Sequence, residues 1–558
     1  MPTVSISAVA EPFQHFVDDY LAYLYEAHPT SATLDGNHLH DDLLDDLSRT
    51  ALDTHSGALA GFARRLDAIP AAGLGPVEQV EHRIVKANIE SRQFDAEAVR
   101  PWERDPHYYG QVLAASLASQ TIFTFAPETD RARRLLSKLR QVPRLVQAAR
   151  DNIKDPPPIF VKTGIDTFRG IVSFIDHDLP RAFATLDDMH LLADLADASS
   201  EATTALQAYA QHLENDVRPK ARASFRLGRE KFERKLELDE GLSYSSDRLL
   251  EIAERELGRV QEQFRAVAAK LGKGDSLEEW QKAKLTHPAP GTVIATVREQ
   301  VAELRKFLER SGVVDVPNGD AVHVAASPDF LRWSTASMWM PGPFETRQTR
   351  STYYLTDVLR SWPPEKQAEH LRDLNMPTLW SISMHEVFPG HFLHFQHLRA
   401  VESKVRRTTM LAPTSYVEGW AHYAEQMMIE AGFGKQDPSI HLGQLAESLV
   451  RLARLVVGIK LHADDWSVEQ GVRFFQNEAY LEESHARREA ERGTFDPSYV
   501  VYAAGKLMLL KLRQDWQEQQ QGKPSLRAFH DAFLSHGAAP FWALRRLMLD
   551  GHADDVLE

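Results

Sequence analysis

Cysteine is absent from all 558 residues. That excludes disulfides, thiolate metal sites and cysteine nucleophiles, so any metal must be held by histidine or carboxylate. The absence also fits a reducing compartment. Long apolar runs are missing as well, since no window reaches the roughly 18 apolar residues of a membrane span. The start, "MPTVSISAVAEPFQHFVDDYL", has no Lys or Arg, and Ser and Glu break its apolar run, unlike a secretory leader. The expectation is a cytoplasmic protein with no membrane partner. Basic runs are lacking too: 64 basic side chains stand against 79 acidic ones, a formal net charge of −15. No stretch resembles those that track a phosphate backbone, which argues against nucleic acid.

Most of what is present has helical period. Phe13, Phe16, Val17, Tyr20, Leu21 and Leu24 recur at three- and four-residue spacing. The same pattern runs through 57–100, 131–154, 188–216 and 244–271, and a further helix is predicted near 292–311. "DNIKDPPPIFVKTG" (151–164) carries three consecutive prolines and reads as a connector. The texture changes after residue 310. "AVHVAAS" alternates like a short strand. The 335–355 stretch, with Tyr353 and Tyr354, reads as a small irregular sheet or a long loop that offers backbone groups to an extended peptide. Helices resume near 364. The expected division is a helical half, 1–285, forming one wall of a cleft, and a catalytic half, 286–558.

The chemistry concentrates in "SMHEVFPGHFLHFQH" (383–397). Zinc hydrolases place two histidines four residues apart on a helix, with a glutamate after the first facing the metal's water. Here His385 and Glu386 are adjacent, but position 389 is proline and the next histidine is His391. In a regular helix a residue six positions on lies about 120° around the axis. Pro389 cannot bond the carbonyl of His385, and Gly390 tolerates distortion. A π-type bulge at Pro-Gly would return His391 to the face of His385. A third ligand should come from another helix. "SYVEGWAHYAEQMMIE" (415–430) puts Glu418, His422 and Glu425 on one stripe.

"HEVFPGH" followed by "EGWAHYAE" resembles a large bacterial family known as domain of unknown function 885. "DPSYVVYAAGKLMLLKLRQDW" is similar to its Tyr-x-x-Gly block, and "LRAFHDAFLSHGAAPFWALRRLM" to its ending. The resemblance spans essentially the whole chain. It implies a mainly α, gluzincin-like metallopeptidase fold around a deep cleft, with a small β segment near the site. It is distantly similar to thimet oligopeptidase, angiotensin-converting enzyme and carboxypeptidase Taq. Carried over, His385, His391 and Glu418 are ligands to one zinc and Glu386 is the base. Tyr502, from the Tyr-x-x-Gly block, becomes the oxyanion donor, with Tyr499 as the alternative. Two positions depart from the family pattern: Phe392 replaces a frequent second histidine, and His422 a common leucine.

Around this set stand candidates for ligand support or substrate binding: His422, Glu425, Arg488, Arg492, Lys506 and His530. His394 and His397 read as packing or solvent residues. The expected activity is zinc-dependent cleavage of short or unfolded peptides by an exopeptidase or oligopeptidase. Histidine and carboxylate ligands also accept manganese, cobalt or iron. A non-catalytic metal- or peptide-binding protein on the same scaffold is the second reading. A helical dimetal oxidase is the third, but it needs two Glu-x-x-His pairs, and only Glu482 with His485 is found.

Overall fold

The Pro438–His462 helix is buried along nearly its whole length, because "LAESLVRLARLVVGIKL" is apolar all round apart from a few polar side chains. In the computed structural model it is packed by the helices Ser246–Ala268, Met376–Glu386, Glu483–Phe495 and Val501–Gln519. The structure describes residues 10–319, 321–328, 331–332, 334–347, 350–520, 525–551 and 555–557. Residues 1–9, read above for a leader, and 348–349 of the cleft segment lie outside that set. Among the described residues no helix is long and apolar enough to cross a membrane.

The fold is mainly α with one small sheet. Helices Glu128–Asn152, Met189–His212, Ser246–Ala268 and Val293–Ser311 match the periodic stretches. The 57–100 stretch is two helices, Arg49–Asp67 and Pro76–Phe94, because Pro70 and Gly75 stop one and start the next. The proline-rich connector is shorter than expected. Pro158 occupies the first helical position, where a missing N–H costs nothing, and the helix runs to Ser173.

The 335–355 region forms strands. Strand β1 (Val322–Ala326), β2 (Ala336–Trp339) and β3 (Ser351–Leu355) give the order β1-β3-β2, with β1 parallel and β2 antiparallel to β3. Tyr353 sits opposite Val324 and Met338 and is fully buried. The sheet packs on Val293–Ser311 and Met376–Glu386.

Among the described residues two apolar cores hold the chain. The larger joins residues 13–89 to 232–556. The smaller lies within 44–221 and contains the Glu128–Asn152 and Pro158–Ser173 helices. The cores thus do not divide at residue 285; the chain leaves the larger core after Ile89 and re-enters it at Phe232.

Candidate metal centre

The Met376–Glu386 helix ends where the sequence departs from the usual zinc-helix spacing. It is capped by Asn375, whose side chain accepts from the Thr378 N–H, and closes at Glu386. A second helix, His391–Leu398, starts after Gly390. The bulge or kink expected between Glu386 and His391 takes the form of a break between two helices. Val387–Gly390 form a wide turn in which the Gly390 N–H donates to the Met384 carbonyl at 2.9 Å, and the Phe388–Pro389 bond is cis. A Cβ at Gly390 would overlap the His385 carbonyl, so only glycine fits. The Trp420 indole N–H donates to the Pro389 carbonyl at 2.9 Å and ties the turn to the Thr414–Glu430 helix.

The break brings both imidazoles together, edge to face at 4.8 Å between ring centroids. His385 Nε2 lies 3.3 Å and His391 Nε2 3.4 Å from Glu418 Oε2. All three ligand atoms fall within 4.8 Å of one another. A tetrahedral ion with arms of about 2.0–2.1 Å has edges of roughly 3.3–3.4 Å, so the histidine–glutamate separations fit zinc. Glu418 Oε2 is buried and makes no hydrogen bond among the described residues, as an atom reserved for a cation would be. Burial works to raise the Glu418 carboxyl, but His391 and His385 hold it well below the usual carboxylate range. The trio still reaches solvent, with 18% of the Glu418 side chain and 11% of the His391 side chain exposed.

Glu425, two turns along from Glu418, is fully buried behind His385. Its Oε1 lies 2.9 Å from His385 Nδ1, and its Oε2 accepts from Ser381 Oγ at 2.8 Å. That contact fixes the His385 tautomer and leaves Nε2 free to ligate. Arg451 stands 3.4 Å from the same carboxylate. Burial disfavours the Glu425 anion, but Arg451 above all outweighs it and holds the carboxyl well below the usual carboxylate range. Burial likewise opposes the His385 imidazolium. The nearby Glu418 and Glu425 carboxylates outweigh that penalty and raise its pKa to about 9, so the pocket favours a positive charge there.

The remaining candidates separate. Glu386 is half-buried at the helix end. Burial pushes the nearby Tyr353 phenol up, and the Glu386 carboxylate adds to that. Tyr502 opens the Val501–Gln519 helix, with its ring nearly parallel to His385 at 6.5 Å. Burial and the Glu418 charge push its phenol up to about 12. Gly419 and Gly505 set that approach: a Cβ on Gly419 would lie 2.6 Å from the Gly505 carbonyl carbon. Arg492 donates to Tyr502 Oη at 3.2 Å. His422 lies 3.4 Å from Glu425, and burial and Lys506 lower its pKa to about 3. Lys506 is buried against Ser448, and burial brings it down to about 8.

Other candidates face elsewhere. Tyr499 is a core ring under Gly458 and Gly493. His530 bridges the Val313 carbonyl and the Tyr423 hydroxyl beneath Trp420. Arg488 is half-exposed near Asp373. His394 is fully buried beside Tyr416, and His397 contacts the Asp315 carbonyl. Arg451 and Arg454 escaped the sequence reading. Their signal was there: charged residues within a helix apolar all round must have buried partners.

The family described as bacterial protein of unknown function (DUF885) matches residues 29–548. Among solved structures, a candidate lipoprotein of unknown function from Shewanella oneidensis is similar at a TM-score of 0.77 and 24% identity. That match covers 98% of this chain and 100% of the other. A candidate lipoprotein from Colwellia psychrerythraea gives 0.78 and 18%, covering 97% and 98%. At these identities the likeness is one of fold. No curated protein matches the sequence.

Proposed function

The chain belongs to the DUF885 family, and from that premise and the geometry of the site we propose a zinc-dependent peptidase of gluzincin type that cleaves short or unfolded peptides. The observation that carries this reading is the convergence of His385 Nε2, His391 Nε2 and Glu418 Oε2 on one point, with Glu425 behind His385. A zinc ion held there would acidify a water and polarise a peptide carbonyl.

The chain's own groups do the rest. Glu425 holds His385 in the ligating tautomer. Glu386, beside a ligand and itself uncoordinated, takes the proton of the attacking water and delivers it to the leaving amine. Tyr502 donates its hydroxyl proton as a hydrogen bond to the oxygen that gains charge.

Glu386→Gln tests the reading. The expected variant keeps its metal content and thermal midpoint and loses most hydrolysis. Full activity at unchanged metal content would remove Glu386 from the reaction. A wild-type protein that binds zinc and cleaves no peptide in a diverse library would instead leave a metal-binding scaffold.

A further inference from the structure

Tyr502 is held between two kinds of neighbour. One face of the ring stacks near His385. Two guanidinium groups also stand over the ring, Arg454 Cζ at 4.9 Å from the centroid and Arg492 Cζ at 5.7 Å. Each arginine is anchored by its own carboxylate. Arg454 is bidentate to Glu489, at 2.6 and 2.8 Å. Arg492 pairs with Asp496, at 2.9 Å from Nε and 2.8 Å from Nη2. Both carboxylates come from the Glu483–Phe495 helix and the residue that ends it.

The direction of the Arg492–Tyr502 bond is fixed by chemistry. A guanidinium has only donors, so Arg492 Nη2 donates and Tyr502 Oη accepts at 3.2 Å. The phenolic proton is therefore not spent on Arg492. A positive donor on the oxygen also draws electron density from the O–H and strengthens it as a donor. We propose that Arg492, anchored by Asp496, is a positioning residue that aims and polarises the Tyr502 hydroxyl toward the oxygen that gains charge during peptide cleavage. This assignment rests on the peptidase reading above. Direct capture of a substrate's terminal carboxylate by Arg492 is the competing role.

The first test uses the metal-free full-length protein labelled with ¹³Cζ-tyrosine. Tyr502→Phe identifies the Tyr502 signal among the 14 tyrosines. Arg492→Gln should shift that signal, and Arg492→Lys should shift it less. An unmoved signal overturns the proposal, whatever the protein's activity.

The second test is a kinetic cycle on zinc-loaded protein. Arg492→Gln should lower kcat roughly tenfold, less than the roughly 10²–10³ lost with a direct oxyanion donor, and leave KM within about twofold. In a Tyr502→Phe background the same change should cost less than about twofold. An equal loss in both backgrounds overturns the coupling. A rise in KM confined to peptides with a free C-terminus, absent for amidated ones, overturns it in favour of carboxylate capture. Loss of all cleavage in the wild type would instead sink the peptidase reading, with the tyrosine signal still reporting on Arg492.

Discussion

At His385 both edges of one imidazole are engaged, Nδ1 by Glu425 and Nε2 by the ligand position shared with Glu418. The two glutamates sit on one helical stripe but have different work. On the proposed reading Glu418→Ala removes a ligand and should abolish stable metal retention. Glu425→Gln leaves the three ligands and loosens one of them, which should weaken binding roughly 10–100-fold, the usual cost of an outer-shell partner. Metal titration of both variants checks the order, and the reverse order would move the third ligand to Glu425. The sequence made the stripe legible through its spacing, but not the division of labour along it. That division depends on Ser381 and Arg451, which reach Glu425 from two other helices.

Among elements, the turn between the two histidine-bearing helices decides the site. Pro389 and Gly390 were legible as the irregularity that lets His391 rejoin His385. The form of that irregularity was not, because it depends on tertiary partners. Trp420 clamps the Pro389 carbonyl from another helix, and Gly390 packs directly on the His385 backbone. Gly390→Ala should therefore open the turn, costing about 1–3 kcal/mol of stability as overpacking does and lowering metal affinity as well. Denaturant unfolding and zinc titration of the same variant check this. Normal stability with normal affinity would mean that the turn absorbs a methyl group. The sheet was legible only in part for a similar reason: β2 and β3 lack clear alternation, and the pairing that sets Tyr353 between Val324 and Met338 joins distant segments.

Across the whole molecule, the N-terminal helices and the segment between β2 and β3 are joined by a charged latch. His38 sits 2.9 Å from Asp41 and 2.7 Å from Glu345, with Phe125 stacked on its ring and Arg134 on Asp41. Burial opposes the imidazolium, but the two carboxylates prevail and raise its pKa from 6.5 to about 9. A raised folded-state value stabilises the fold fully below about 6.5 and loses that contribution as pH climbs through about 9. Hydrogen exchange in 341–347 should thus quicken over that window beyond its intrinsic rise, and His38→Gln should remove the dependence. A wild-type latch equally protected at pH 6 and 9.5 would contradict it. The latch, unlike the histidine–glutamate trio, was not legible as an assembly from sequence, since 307 residues separate His38 from Glu345.

The proposed function requires His385, His391 and Glu418 to hold one ion on which peptide cleavage depends. Stripping the full-length protein with a chelator and returning zinc in known equivalents, while following cleavage of a peptide library, tests it most directly. Cleavage should vanish on stripping and return to a plateau at one equivalent in the wild type, and should not return in Glu418→Ala. Cleavage that survives stripping, or that zinc restores equally in Glu418→Ala, would contradict it.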